Sequence, residues 1–196
     1  MMKKILLFLL SVVPAFASAQ HLEKGYHGFA DLGYSKCISQ LDPSTIEITT
    51  SHGYQFNPYI FLGGGVGFDF TGSCSWGEVD RHAFEKRDSK VDIPVFFNFR
   101  SNFTKTKFSP YFDAKVGAYL NNDCYPYATL AFGCRCSIGN NMGISLSAGY
   151  KYRKATVEHL EMTSGNKYNN YQYSFYYRDE TGYSLDGFFV KAGFDF

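Results

Sequence analysis

The chain has a single tryptophan and six prolines in 196 residues, and its charges nearly cancel, with 19 basic against 18 acidic side chains. The balance removes the basic surface that nucleic-acid binding requires. Past residue 19 no apolar run approaches the roughly 20 residues of a membrane-spanning helix. No linker or shift of composition marks a second domain, so the remaining length, about 177 residues, suits one. What fills the sequence instead is glycine and two aromatic residue types: 19 Gly, 20 Phe and 16 Tyr. Aromatics at that density suit a lipid interface, and a mildly negative mean hydropathy is compatible with it where only alternate residues of a strand touch lipid.

The first residues have an export pattern. Lys3 and Lys4 precede an apolar run from Ile5 to about Phe16 and the small-residue site Ala17-Ser18-Ala19. We expect residues 1–19 to be a cleaved signal peptide and the mature chain, residues 20–196, to begin at Gln20. No Cys follows the site to accept a lipid. The other end has a matching feature. Phe188, Val190, Ala192, Phe194 and Phe196 alternate with Lys191, Gly193 and Asp195, which gives one lipid-compatible face and one polar face. This pairing predicts a bacterial outer-membrane protein whose last strand, through Phe188, Val190, Phe194 and Phe196, serves as an assembly signal.

Period-two patterning predicts eight strands, near Gly25–Ser35, Ile46–Phe56, Tyr59–Phe70, Val91–Ser101, Ser109–Leu120, Tyr125–Ile138, Met142–Tyr152 and Ser184–Phe196. Each is close to or above the 9–11 residues of a tilted membrane strand. Short connections at Asn57-Pro58, about Asn102–Phe108 and Gly139-Asn140-Asn141 carry turn chemistry. Those on the other side, Lys36–Thr45, Thr71–Lys90, Asn121–Cys124 and Arg153–Tyr183, are mostly longer. That alternation predicts an all-β, eight-stranded antiparallel up-and-down transmembrane barrel with periplasmic turns and extracellular loops.

In this ensemble of signal peptide, eight strands, one-sided long loops and terminal Phe196, the chain resembles the small eight-stranded outer-membrane barrels of the OmpX and OmpA-transmembrane-domain type. The resemblance covers the whole mature sequence and implies insertion by the outer-membrane assembly machinery, a surround of outer-membrane lipid and lipopolysaccharide, and a monomer. The periplasmic domain of the OmpA-like proteins has no counterpart here, so peptidoglycan anchoring is not implied.

The expected interior face carries Asp31, Glu47, Asp69, Asp92 and Asp113 against Arg100, Lys115, Arg135, Lys151 and Lys191, with Phe96, Asn98 and Tyr111. Eight strands enclose only enough room for side chains, so these charges are expected to pair and fill the lumen; an ion path or narrow small-solute channel is the alternative. Gly63-Gly64-Gly65-Val66-Gly67 has the look of a phosphate loop but lacks the strand–turn–helix context. Inward Gly63, Gly65 and Gly67 read instead as space for Phe96 or Arg100.

Five cysteines cannot all pair within one chain. One disulfide among Cys37, Cys74 and Cys124, with Cys74 the favoured member, is expected in the outer loops. Cys134 and Cys136 fall on a lipid-facing strand and make a poor zinc site. No metal or cofactor is expected. A lipid-modifying hydrolase or acyltransferase needs a nucleophile within reach of a base. His21, His27, His52, His82 and His159 form no such pattern with a serine, and the chain is read as non-enzymatic. The fourth outer loop mixes Tyr with Asn, Gly and Ser, a composition suited to recognition. Tyr171, Tyr173, Tyr176 and Tyr177 are its candidate binding residues, for an unknown extracellular ligand in an adhesion-type role.

Overall fold

The computed structural model describes residues 24–38, 43–76, 83–121, 124–138, 142–164 and 173–196. The expected signal segment and the Gly139-Asn140-Asn141 turn lie outside the described residues. Twelve strands form: β1 (Gly25–Cys37), β2 (Ser44–Asn57), β3 (Ile60–Thr71), β4 (Cys74–Trp76), β5 (Ala83–Arg87), β6 (Lys90–Asp92), β7 (Pro94–Asn102), β8 (Phe108–Tyr119), β9 (Pro126–Ser137), β10 (Gly143–Ser164), β11 (Tyr173–Ser184) and β12 (Gly187–Asp195). Eight of them close a ring in the order β1-β2-β3-β7-β8-β9-β10-β12, every neighbouring pair antiparallel. The last strand completes it by pairing with β1 from Phe29↔Asp195 to Cys37↔Gly187 and with β10 from Gly143↔Asp195 to Lys151↔Gly187. The structure is a closed eight-stranded up-and-down barrel.

Alternation decides what each side chain meets. Along β12, Gly187, Phe189, Lys191, Gly193 and Asp195 turn inward while Phe188, Val190, Ala192 and Phe194 turn out. Phe196, one residue past the strand, exchanges two backbone hydrogen bonds with Gly28, at 2.8 and 3.0 Å, and its ring covers that glycine. The inward glycines of β3 make room for bulk. A Cβ on Gly65 would stand 2.6 Å from the Phe96 ring and collide with the Thr50 carbonyl, so Phe96 fills the space that Gly65 vacates.

The pattern is modified in four places. The strand expected over Val91–Ser101 is interrupted at Ile93, because Pro94 has no N–H to give the ladder. Ile93 N–H donates instead to Asn121 Oδ1 at 2.9 Å, and β6 and β7 flank the gap, both paired with β3. Tyr59 belongs to a turn: the Asn57 side chain accepts the Tyr59 and Ile60 N–H groups at 2.8 and 3.0 Å, an Asx arrangement that starts β3 one residue later. The expected loop over Thr71–Lys90 contains the β4–β5 hairpin. The expected loop over Arg153–Tyr183 is largely a continuation of β10, 22 residues long, paired with β11. Outside the barrel β4, β5, β10 and β11 lie side by side in one sheet.

Replacing Gly65 with Val sets the new side chain against Phe96 and the neighbouring strand. Overpacking of this kind destabilises by about 1–3 kcal/mol, and a lowered urea midpoint for the folded barrel in detergent, with Gly64→Val affected less, is the expected result.

Candidate functional site

The interior is the chemically dense part of the molecule. Asp31, Glu47, Asp69, Asp92, Asp113 and Asp195 face Arg87, Arg100, Lys115, Arg135, Lys151, Arg153 and Lys191, all of them buried. Charges removed from water persist only when paired and hydrogen-bonded; some partners, such as Lys115 of β8 and Asp31 of β1, come from opposite walls, while Arg100 and Asp113 face each other on β7 and β8. Towards the end where β1 finishes, Lys151 Nζ reaches Glu47 at 2.7 Å and Asp69 at 2.5 Å, Lys191 Nζ reaches Glu47 at 2.9 Å, and Tyr119 O–H donates to Asp69 at 2.8 Å. Towards the other end Lys115 pairs with Asp31 at 2.8 Å, Arg100 with Asp113 at 2.9 Å, and Arg135 with Asp195 at 2.5 Å. Thr49 donates to Asp31 and Asn98 to Asp113, at 3.4 and 3.0 Å.

Aromatic rings separate the two charge clusters. Phe96, Tyr119 and Tyr127 pack together, with Lys115 Nζ 5.0 Å from the Phe96 ring centre and Lys151 Nζ 5.6 Å from that of Tyr127. Arg100 lies 3.8 Å from the Phe29 ring centre and 4.5 Å from that of Tyr111, in cation–π geometry. A void among Ser35, Cys37, Thr45, Lys151, Arg153 and Leu185 measures about 10 Å³, the space of a single water. Larger hollows lie on the outward apolar face, about 790 Å³ beside Leu32, Tyr34, Phe132, Leu146 and Val190.

The mouth at the end of β1 is covered. The β4–β5 hairpin leaves β3 and pairs with β10, which stands four strands away in either direction round the ring. The path between opposite walls runs over the lumen. Arg87 fixes one side by pairing with Asp92 at 2.7 Å, and Asp92 lies 3.7 Å from Arg153. Arg153 also donates to Thr71 at 3.0 Å and Thr45 at 3.2 Å. Above them Cys37, Ala155 and Leu185 form a small apolar cluster, against which Cys74 and Tyr183 pack.

All ten charges expected inside are buried and paired in this way. Arg87 and Arg153, both in expected loops, join them; Arg153 is two residues past Lys151 and continues the inward row of β10. Asp195, on the inward face of β12, also belongs to the network. Phe188, Val190 and Phe194 are exposed on the outer face. Of the three outer cysteines, Cys37 and Cys74 share one cluster, whereas Cys124 is exposed in the β8–β9 connection with a φ of 52°. Cys134 is exposed and Cys136 half-buried, both on the outer face of β9. His27 is buried inside the wall and His52 is exposed outside it, bonded to Tyr26 and Thr50 at 2.5 and 2.9 Å. The wall separates them. His21 and His82 lie outside the described residues, as does the side chain of His159. Tyr171 also lies outside them; Tyr173, Tyr176 and Tyr177 occupy β11, paired with Ser164, Glu161 and Leu160, and their side chains are likewise outside the description. Among the described residues no group of three or more His, Cys, Asp or Glu could hold a metal ion.

No protein-family model matches the chain, and no curated protein matches it.

Lys115 and Asp31 form the pair with the fewest other charged partners. Lys115→Met leaves Asp31 as a buried carboxylate without its cation and is expected to lower barrel stability by about 3–5 kcal/mol, with Asp31→Asn added on top restoring much of it. Equilibrium unfolding of the single and double variants in detergent measures the difference; a double variant as unstable as the sum of both singles would contradict the pairing.

Proposed function

We propose that the chain is a bacterial outer-membrane barrel with a lumen filled by side chains, serving envelope structure and surface interaction and performing no catalysis. The inverted polarity of the barrel carries this reading. Its charges are buried inside, while Leu32, Ile48, Phe68, Phe97, Val116, Phe132, Leu146 and Val190 stand exposed around the outside, Phe97 at 82 %. An apolar belt of this extent is unfavourable against water and favourable against acyl chains. The export-type pattern of residues 1–19 agrees with it.

In this reading the chain is of the OmpX and OmpA-transmembrane-domain type. The short Asn57-Pro58 turn and Phe196 lie on the periplasmic side, and the sheet of β4, β5, β10 and β11 projects into the medium. The monomer is surrounded by outer-membrane lipid and lipopolysaccharide. The assembly machinery reads β12 with Phe196. The projecting sheet, with the tyrosines of β11, is the surface offered to an extracellular ligand. A channel is disfavoured by the ion-paired lumen and the hairpin over its mouth, and the His52–Thr50 contact, a base–hydroxyl pair of the kind the lipid-modifying reading needs, lies exposed on the outer wall towards the Asn57-Pro58 turn, far from the projecting sheet.

Cell fractionation followed by electrophoresis with and without boiling tests location and fold together. A heat-modifiable band in the outer-membrane fraction is expected, weakened when Phe196 is deleted; a periplasmic protein with no heat shift would refute the reading. Replacing Tyr171, Tyr173, Tyr176 and Tyr177 with Ser is expected to abolish surface adhesion of expressing cells without altering that band. Unchanged adhesion would remove the tyrosines from the proposal.

A further inference from the structure

We propose that Cys37 and Cys74 form a disulfide that fastens the β4–β5 hairpin across the outer mouth of the barrel. Cys37 ends β1 opposite Gly187 of β12, and its buried thiol donates to the Asp186 carbonyl at 3.2 Å. Ala155 of β10 and Leu185 complete its cluster, and Cys74, the first residue of β4, packs onto that cluster from the hairpin. Sequence alone left Cys37, Cys74 and Cys124 as candidates. The fold separates them: Cys124 is exposed in a different connection, and Cys134 and Cys136 lie outside the wall on β9. Cys134 and Cys136 cannot bridge each other, because side chains two apart on a strand point the same way with their Cβ atoms too far apart.

The site has the electrostatics of a guarded thiol. Burial pushes the Cys74 thiol up, Cys37 raises it further, and the Arg87 and Arg153 guanidinium groups pull it down. Cys37 is buried and Cys74 packs over it in the folded barrel, so oxidation belongs to the folding chain, before the hairpin settles. The thiolate of one cysteine attacks a protein or small-molecule disulfide of the envelope, releasing one of its sulfurs as thiolate. The thiolate of the other then attacks the mixed disulfide and releases the second. Two cysteine thiols lose two protons and two electrons; the oxidant disulfide accepts the electrons and becomes two thiols. The product joins the end of β1 to a hairpin that leaves β3 and pairs with β10, so the cover gains a third, covalent attachment to the rim beside those two.

The inference rests on the exported reading, since disulfides persist in oxidising compartments, and the test separates the two. Full-length protein extracted from the envelope without reductant is blocked with a maleimide, unfolded, blocked again and digested with trypsin. No Lys or Arg lies between Cys37 and Arg81, so both cysteines fall in one peptide, residues 37–81. That peptide is expected two hydrogens lighter than the dithiol and unlabelled until reduced, while Cys124, Cys134 and Cys136 take the label. Cys37→Ser should expose Cys74 to the reagent, Cys74→Ser should expose Cys37, and Cys124→Ser should leave the bridge in place. Label on Cys37 and Cys74 in a heat-modifiable outer-membrane barrel, or a bridge through Cys124, would overturn the disulfide and leave the location standing. Should fractionation place the chain elsewhere, purified protein that has been reduced, unfolded and refolded with oxidised glutathione present decides the matter. Formation of the 37–74 bridge supports the pairing, and only glutathione adducts or unreacted thiols overturn it.

Discussion

The structure depends on the hydrogen-bonded closure of β12 onto β1. An open sheet of eight strands would leave two rows of unpaired backbone groups, which water satisfies but hydrocarbon does not. Pairing Phe29 through Cys37 with Asp195 through Gly187 removes both rows at once. Closure also fixes the interior. With eight strands the enclosed space accommodates only side chains, so every second residue becomes part of a filling that must fit in volume and balance in charge. Gly65 beneath Phe96 is a local answer to the volume requirement.

The charge requirement is met across the lumen. Lys151 of β10 joins Glu47 of β2 to Asp69 of β3, Lys115 of β8 meets Asp31 of β1, and Arg135 of β9 meets Asp195 of β12. Desolvation offsets most of the Coulomb gain of such pairs, so they add less to net stability than their short distances suggest. Their geometric effect is larger. A strand that slips by one residue turns its charges onto the apolar outer face and its outward phenylalanines into the lumen, and each cross-lumen pair penalises that slip. The network thus holds register, while the outer apolar face holds the barrel in its solvent.

Much of this is legible in the sequence, because a barrel wall writes period two directly into it. The strands around Phe112–Leu120 and Met142–Tyr152, and the ten interior charges, follow from alternation alone. What escaped was whatever depends on the third dimension or on continuation past the expected membrane edge. Arg153 falls in an expected loop because the patterned strand ends at Tyr152, and Arg87 does because nothing local marks a hairpin between Gly72 and Ser89. Pro94 was visible in sequence, yet the break it makes was not, since Val91–Ser101 keeps its alternation on both sides of the gap. The meeting of Cys37 with Cys74 follows only from ring order, which places β3 and β10 on opposite walls.

That ring order also explains how the outer part of the molecule is built. A connection that returned by the shortest route would join β3 to its neighbour and leave the mouth open. Here the connection between β3 and β7 crosses the diameter, so that Ala83–Lys86 pair with Glu158–Glu161 of β10, and the same stretch of β10 pairs with β11 on its other side. The projecting sheet is therefore anchored at two opposite walls, through β4 and β5 on one side and the long β10–β11 hairpin on the other. A single hairpin of that length, held only at its base, would be marginal in water; four strands, with a cover packed into the mouth beneath them, make a stable platform. The constraint that fills the barrel with charge and the one that raises a sheet above it thus have a common origin in the closed ring of eight strands, which fills its own interior with side chains and supplies two fixed walls from which to build outward.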